Sequence, residues 1–225
     1  MNKKRFILLV LIFIISIIIF IYFFCRGNYK TSKLGNNNLK SINDFEQYIL
    51  NISSYEANIT VEVKSNKNDN KYKIKQKYSQ PNYYKQEILE PSNIKGVITI
   101  YDGSTLTIKN TELELNKIYE NYTCISDNFL CLHQFVENYK ESEEKNIIEE
   151  EQNIKMELKL KDSNNKYNKY QTLYIDKKTG KPIKMQIQDI NKNTLVYILY
   201  NEIEINSISK EEALAFELNI RKNNI

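Results

Sequence analysis

The chain holds one histidine, His133, and three cysteines, Cys25, Cys124 and Cys131. Nucleophilic, metal or redox chemistry would have to begin with these residues. A Ser-His-Asp device must use His133, yet no G-x-S-x-G elbow supplies its nucleophile. A zinc site would need Cys124, Cys131, His133 and a fourth ligand, and the spacing C-x6-C-x-H matches no common structural pattern. His133 falls beside the apolar face of a helical stretch, about 40° from Phe129 by the helical period, so packing at the helix flank is its expected role. Five Gly leave little room for a phosphate-binding loop. Carboxylate pairs for glycoside chemistry need a cleft and about 5–10 Å between them. The dense acidic run Glu141 to Glu151, with six Glu and one Lys, reads instead as a solvated loop. No catalytic residue, metal or cofactor is expected.

Cys124 and Cys131 remain as a pair, the exported thiols if Cys25 stays at the membrane. On the helical wheel Cys131 lies off the apolar face, a poor place for a buried, inert thiol. Two readings stand: a disulfide closing a short loop, worth about 2–3 kcal/mol in the chain-entropy model, or two free thiols.

The elements that must position these residues begin at the N-terminus. Phe6 to Phe24 carries no charge, and as a helix it spans roughly 28 Å, close to the bilayer's hydrocarbon core. Lys3, Lys4 and Arg5 before it predict a cytoplasmic tail (1–5), a membrane anchor (6–24), a polar linker (25–40) and an extracytoplasmic body in the cell envelope. A lipid on Cys25 is the competing reading, but Tyr22, Phe23 and Phe24 are bulky where a lipobox takes small residues. The net charge is +4, and without the three basic residues of the tail 29 basic face 28 acidic side chains. A near-neutral body argues against nucleic acid.

Ser41-x-x-Asp44 opens a helix as a capping box, and Ile42, Phe45, Tyr48, Ile49 and Ile52 form its apolar face. Alternating runs follow at Tyr55 to Val63, Tyr72 to Tyr78, Tyr83 to Leu89, Val97 to Tyr101, Leu106 to Ile108 and Leu113 to Leu115. Short turns between them predict an antiparallel sheet, one face buried and one wet. A second helix is expected over Asp127 to Lys140, with Ser126 or Asp127 as cap. Phe129, Leu132, Phe135, Val136 and Tyr139 share one face, while Leu130 falls opposite, as a second buried side or a contact surface. Ile154 to Leu160 resumes the sheet, and Lys169 to Asn206 completes it as a three-stranded meander turning at Asp176–Gly180 and Asp189–Asn193. A short helix is expected from Ser209 within the last segment, 209–225.

Helix, about six strands, helix, then four strands resembles the LolA-like family: α+β, a strongly curved, half-open antiparallel sheet with helices on its concave side, here over 41–208 and preceded by one transmembrane helix. The late hairpin Asp176-Lys-Lys-Thr-Gly180-Lys-Pro182-Ile-Lys-Met185 is similar to that family's D-x-x-T-G-x-P-x-x-M pattern. The segment Glu90 to Gly103 resembles the GerS-type germination proteins of spore-forming clostridia. That resemblance implies a non-enzymatic protein whose partner is a cell-wall hydrolase, an amidase of the spore cortex, in sporulation or germination. The surface expected to meet it comprises the open sheet edges and Glu141, Glu143, Glu144, Glu149, Glu150 and Glu151. LolA-type folds hold acyl chains, so the alternative is a lipid- or lipoprotein-binding carrier or envelope sensor with an acyl-chain ligand lined by Phe129, Leu132, Phe135 and Val136. A homodimer is admitted as well.

Overall fold

The structure, a computed structural model, describes residues 39–64, 69–110, 112–122, 130–161, 165–209 and 212–213. The expected tail, membrane anchor and nearly all of the linker lie outside the described residues, as does most of 209–225. Among the described residues no helix is long and apolar enough to cross a membrane. At the other end, Ser209 Oγ accepts the Glu212 N–H at 3.2 Å while Glu212 Oε2 accepts the Ser209 N–H at 2.8 Å. Ser209 and Glu212 thus cap each other reciprocally at the start of that last segment.

The first helix, α1 (Ile42–Leu50), starts where its capping box directs. Ser41 Oγ accepts the Asp44 N–H at 3.2 Å and Asp44 Oδ2 accepts the Ser41 N–H at 2.9 Å. Its apolar stripe buries Phe45, Tyr48 and Ile49. Six strands follow: β1 (Ser54–Val63), β2 (Asn70–Ser79), β3 (Tyr83–Glu90), β4 (Ile98–Asp102), β5 (Leu106–Asn110) and β6 (Leu115–Tyr119). After α2 (Leu132–Glu141) come β7 (Lys145–Glu149), β8 (Asn153–Lys159), β9 (Tyr170–Asp176), β10 (Pro182–Gln188) and β11 (Thr194–Ile205).

All eleven strands form one open sheet in the order β6-β5-β4-β3-β2-β1-β11-β10-β9-β8-β7. It is thus two antiparallel meanders, β1–β6 and β7–β11, joined where the last strand returns to the first. The β1/β11 pairing runs from Tyr55↔Ile205 to Val63↔Val196. Both helices contribute to the single core on one face: Tyr139 Oη of α2 donates to Glu46 Oε1 of α1 at 2.9 Å. A large open antiparallel sheet with few helices is therefore what the alternating pattern builds.

The turns obey their residue types. In the β9–β10 turn Asp176 Oδ1 accepts both the N–H and the hydroxyl of Thr179 at 2.7 Å. Gly180 there has φ +70°, a value that favours glycine over residues with a Cβ. Asp189 closes the next turn by accepting the N–H groups of Asn191 and Asn193.

Three expectations are corrected. The acidic run is not all loop: Glu143, Glu144, Glu150 and Glu151 lie in connections, but Lys145 to Glu149 form β7, an edge strand paired to β8 from Lys145↔Leu158 to Glu149↔Ile154. Five strands, not four, therefore follow α2. Its charges hid it, because an edge strand keeps one side in water and only Ile147 and Ile148 are partly buried. The second helix begins at Leu132, with Cys131 as its N-cap. Leu130 therefore precedes the helix and takes no place on its wheel. The proposed caps Ser126 and Asp127 lie outside the described residues.

Candidate functional site

Two places gather the residues singled out by the sequence: the start of α2, and the β7 edge. At the first, four inward tyrosines stand side by side across neighbouring strands, with Tyr55 opposite Tyr78, Tyr78 opposite Tyr84 and Tyr84 opposite Tyr101. Beside them runs a polar row, Ala57 opposite Gln76, Gln76 opposite Gln86 and Gln86 opposite Thr99. The first turn of α2 lies on these two rows. The His133 ring stacks on Tyr78 at 4.1 Å between centroids and 4° between planes, with Tyr55 and Tyr84 at 6.3 and 6.0 Å. Its Nδ1 is 3.3 Å from Tyr55 Oη. Loss of hydration lowers the imidazole to about 4, so it is neutral at ordinary pH. Burial likewise pushes the Tyr78 hydroxyl up to about 12 and that of Tyr55 well above its usual value.

Cys131 is 1% exposed, which overturns the expectation of a thiol off the apolar face. The wheel misplaced it because the residue caps the helix instead of continuing it. Gln86 Nε2 donates to its Sγ at 2.9 Å, and Gln76 Nε2 lies 3.9 Å away. Cys124, its proposed disulfide partner, lies outside the described residues. Gln76 Nε2 also donates to the Leu130 carbonyl at 3.2 Å, while its Oε1 is buried without a hydrogen-bond partner, as is Tyr200 Oη.

Chemically this box is closed. The ring partners of His133 among the described residues are tyrosines, with neither a carboxylate to orient the imidazole nor a serine within its reach. No group of three or more His, Cys, Asp or Glu among the described residues is placed to hold a metal. Of the residues assigned to an acyl-chain cavity, Leu132, Phe135 and Val136 are 0%, 1% and 4% exposed and belong to the main core. Phe129 lies outside the described residues.

At the β7 edge, Glu141 ends α2, Glu143 and Glu144 lie in the connection to β7, Glu149 is on β7, and Glu150 and Glu151 follow it. Glu143 meets Lys161 at 2.6 Å, and Glu144 and Glu149 meet Lys159 and Lys177, each at 2.5 Å. The Lys161 ammonium holds the Glu143 carboxyl below its usual range. Glu141, Glu150 and Glu151 are exposed. The exit from α2 is fixed beneath them: Ser142 Oγ donates to the carbonyls of Glu144 and Lys159, and Lys145 Nζ donates to those of Tyr139 and Lys140. A cation at a helix C-terminus satisfies its last carbonyls and opposes its dipole. Two shallow grooves of about 330 and 460 Å³ flank this region, and Glu144, Lys159 and Tyr170 line both.

Sequence reasoning missed the tyrosine and glutamine rows, since they exist only once strand registers are set. The one local signal was Gln76, a polar residue at an inward position of an alternating strand.

A family model described as "Sporulation protein YdcC-like" matches residues 3–214. No curated protein matches the chain. Among solved structures, the chain is similar to one from the CwlD amidase of Clostridioides difficile in complex with the GerS lipoprotein, with 25% identity, 77% of this chain and 99% of that one covered, and a TM-score of 0.47. A LolA superfamily protein of Nitrosomonas europaea aligns at 9% identity over 76% of this chain and 96% of its own, with a TM-score of 0.42. A chain of the Pseudomonas aeruginosa MucA/MucB complex aligns at 11% identity over 76% of this chain and 59% of its own, with a TM-score of 0.45.

Proposed function

This chain belongs to the YdcC-like sporulation protein family, and from that premise we propose that it is a membrane-anchored, extracytoplasmic, non-enzymatic protein that binds and positions a spore-cortex amidase. The observation that carries this reading is the β7 edge. It ends the sheet, so its outer main chain meets no described strand, and it carries Glu149 while five more carboxylates flank it between Glu141 and Glu151. A partner strand can add to such an edge through its main chain, while the acidic side chains steer and register a basic partner surface. The resemblance of Glu90–Gly103 to GerS-type proteins supports an amidase as the partner class. Phe6–Phe24 supplies the anchor and Lys3, Lys4 and Arg5 its orientation. His133 is held by tyrosine packing, which supports a scaffold over a catalyst.

The test is affinity capture of the full-length tagged chain from sporulating cells, followed by identification of what it retains. A cell-wall amidase is expected in the eluate. Replacing Glu143, Glu144 and Glu149 by Lys should reduce it about tenfold, the size expected from removing and reversing rim charges. Retention of lipid with no amidase would overturn the proposal in favour of a carrier.

A further inference from the structure

The two meanders meet at β1 and β11, but β10 does not follow β11 to its end. The β10/β11 pairing runs from Gln188↔Thr194 to Lys184↔Leu199 and stops there. β1 continues alongside β11 as far as Ile205. Bulges mark the parting. Asn58 faces Glu202 and Ile59 faces Tyr200, which leaves Asn201 unopposed on β1. Pro182 faces Ile175 and Lys184 faces Tyr174, which leaves Ile183 unopposed on β9. A bulge bends its strand and sharpens its twist, and here two of them lie on either side of one seam.

The result is a notch of about 780 Å³ between the end of β11 and the β9–β10 turn, with Ala57, Pro182, Ile183 and Ile203 among its lining. Its floor is strand that no described strand pairs on this side. Alternate residues of a strand direct their N–H and C=O groups to opposite neighbours. The Asn206 N–H reaches the Ser54 carbonyl on the β1 side at 2.7 Å, so Glu204 also faces β1. Ile203 and Ile205 therefore point their main-chain groups toward the notch, past the last β10 pair. Its lining carries one more acid than base. Glu56, Glu202 and Glu204 stand against Lys75 and Lys181 in the lining. Glu56 is engaged by Lys75 and Lys77, and Glu202 by Asn58 Nδ2 at 2.8 Å. The Glu204 carboxylate is exposed and has no partner among the described residues.

We infer that this notch receives an extended segment of a partner protein as an added strand, its alternate side chains apolar toward Ala57 and Ile203 and basic toward Glu202 and Glu204. Main-chain hydrogen bonds to Ile203 and Ile205 supply the affinity common to any strand, and the alternation supplies the selection. The inference rests on the reading of this chain as a protein-binding scaffold, but it uses an internal edge distant in sequence from β7.

The probe is a heptapeptide of alternating Lys and Val, added to the full-length chain in detergent micelles, with amide hydrogen exchange followed by NMR. Exchange at the Ile203 and Ile205 amides should slow by about tenfold or more at saturating peptide, with β7 amides unchanged. The double variant Glu202→Lys, Glu204→Lys should bind about tenfold more weakly. A peptide with a central Pro should give no protection, because it cannot complete the ladder. Unchanged exchange at Ile203 and Ile205 would overturn the inference. So would protection that appears without peptide and grows with protein concentration, which would assign the notch to a second copy. Amidase capture depends on the β7 carboxylates, so either proposal can fail while the other stands.

Discussion

Across the second meander an inward row runs Ile147, Met156, Leu173, Met185, Ile198 and on to Val61 of β1, aliphatic at every step. Across the first, the inward row is Tyr101, Tyr84, Tyr78 and Tyr55, with Gln86 and Gln76 in the row beside it. The aliphatic half is stabilised by area removed from water and asks for no directional partners. The tyrosine half must also place its hydroxyls. Tyr101 Oη is placed on the carbonyls of Gly103 and Tyr122, and Tyr55 Oη on His133. Each half also buries one glutamine at 1% exposure. Gln171 has both ends met, by Asn138 Nδ2 and by Asn168 Oδ1, each at 3.2 Å. Gln76 leaves its Oε1 unmet. One half is therefore packed through aliphatic side chains, and the other carries the buried imidazole and the unmet Gln76 Oε1, while the second unmet atom, Tyr200 Oη, lies on β11.

That contrast is most sharply tested by truncation of the aliphatic row. Leu173→Ala should cost about 3–4 kcal/mol, because Leu173 is fully buried between Met156 and Met185 and the cavity cannot be filled from one side. Denaturant unfolding measures it, and a loss below about 1 kcal/mol would mean that this row repacks freely.

The glutamines give the next effect. Gln171→Met should cost about 2 kcal/mol, since it removes both hydrogen bonds that the buried amide makes, to Asn138 and to Asn168. Gln76→Met strands one acceptor, the Leu130 carbonyl, but also removes a buried oxygen that lacks a partner, and should cost less, about 1 kcal/mol. Equal losses at the two positions would erase the distinction between the halves.

The smallest effect is a pH slope. The folded His133 value, near 4, lies below its unfolded value because burial disfavours the cation. The neutral ring costs nothing above about pH 6.5, and the unfolded chain binds the extra proton as pH falls toward 4. Stability is thus lost on acidification through that window, by about 1–2 kcal/mol after discounting for the ring's partial exposure. His133→Phe should flatten this component, read as the difference between the two proteins' melting temperatures from pH 7 to pH 4. Parallel curves would remove His133 from the pH response.

Local residue pattern was enough for the first capping box, for both turns of the last meander and for most of the strands. Each depends on neighbours a few positions apart: Ser41 with Asp44, Asp176 with Thr179 and Gly180, Asp189 with Asn193. The β7 strand was not legible, because charged residues on a sheet edge satisfy themselves in water and with Lys159 and Lys177, and leave little alternation to read. Cys131 was misjudged for a related reason: a cap residue departs from the helical period that the wheel assumes. Of the site residues, the carboxylates were visible as a run, but their collection on one edge was not.

The sequence by itself determined which stretches alternate, where most of them turn, and which face of each helix is apolar. These properties follow from side-chain period and turn chemistry, which act over a few residues. Only the tertiary structure decided that β11 returns to β1, that three tyrosines from three strands close around His133, and that β10 parts from β11 to open a notch. Those outcomes depend on registers and bulges between segments as much as 150 residues apart, such as Tyr55 with Ile205. Such registers are set by the fit of whole faces against one another, so no local pattern encodes them.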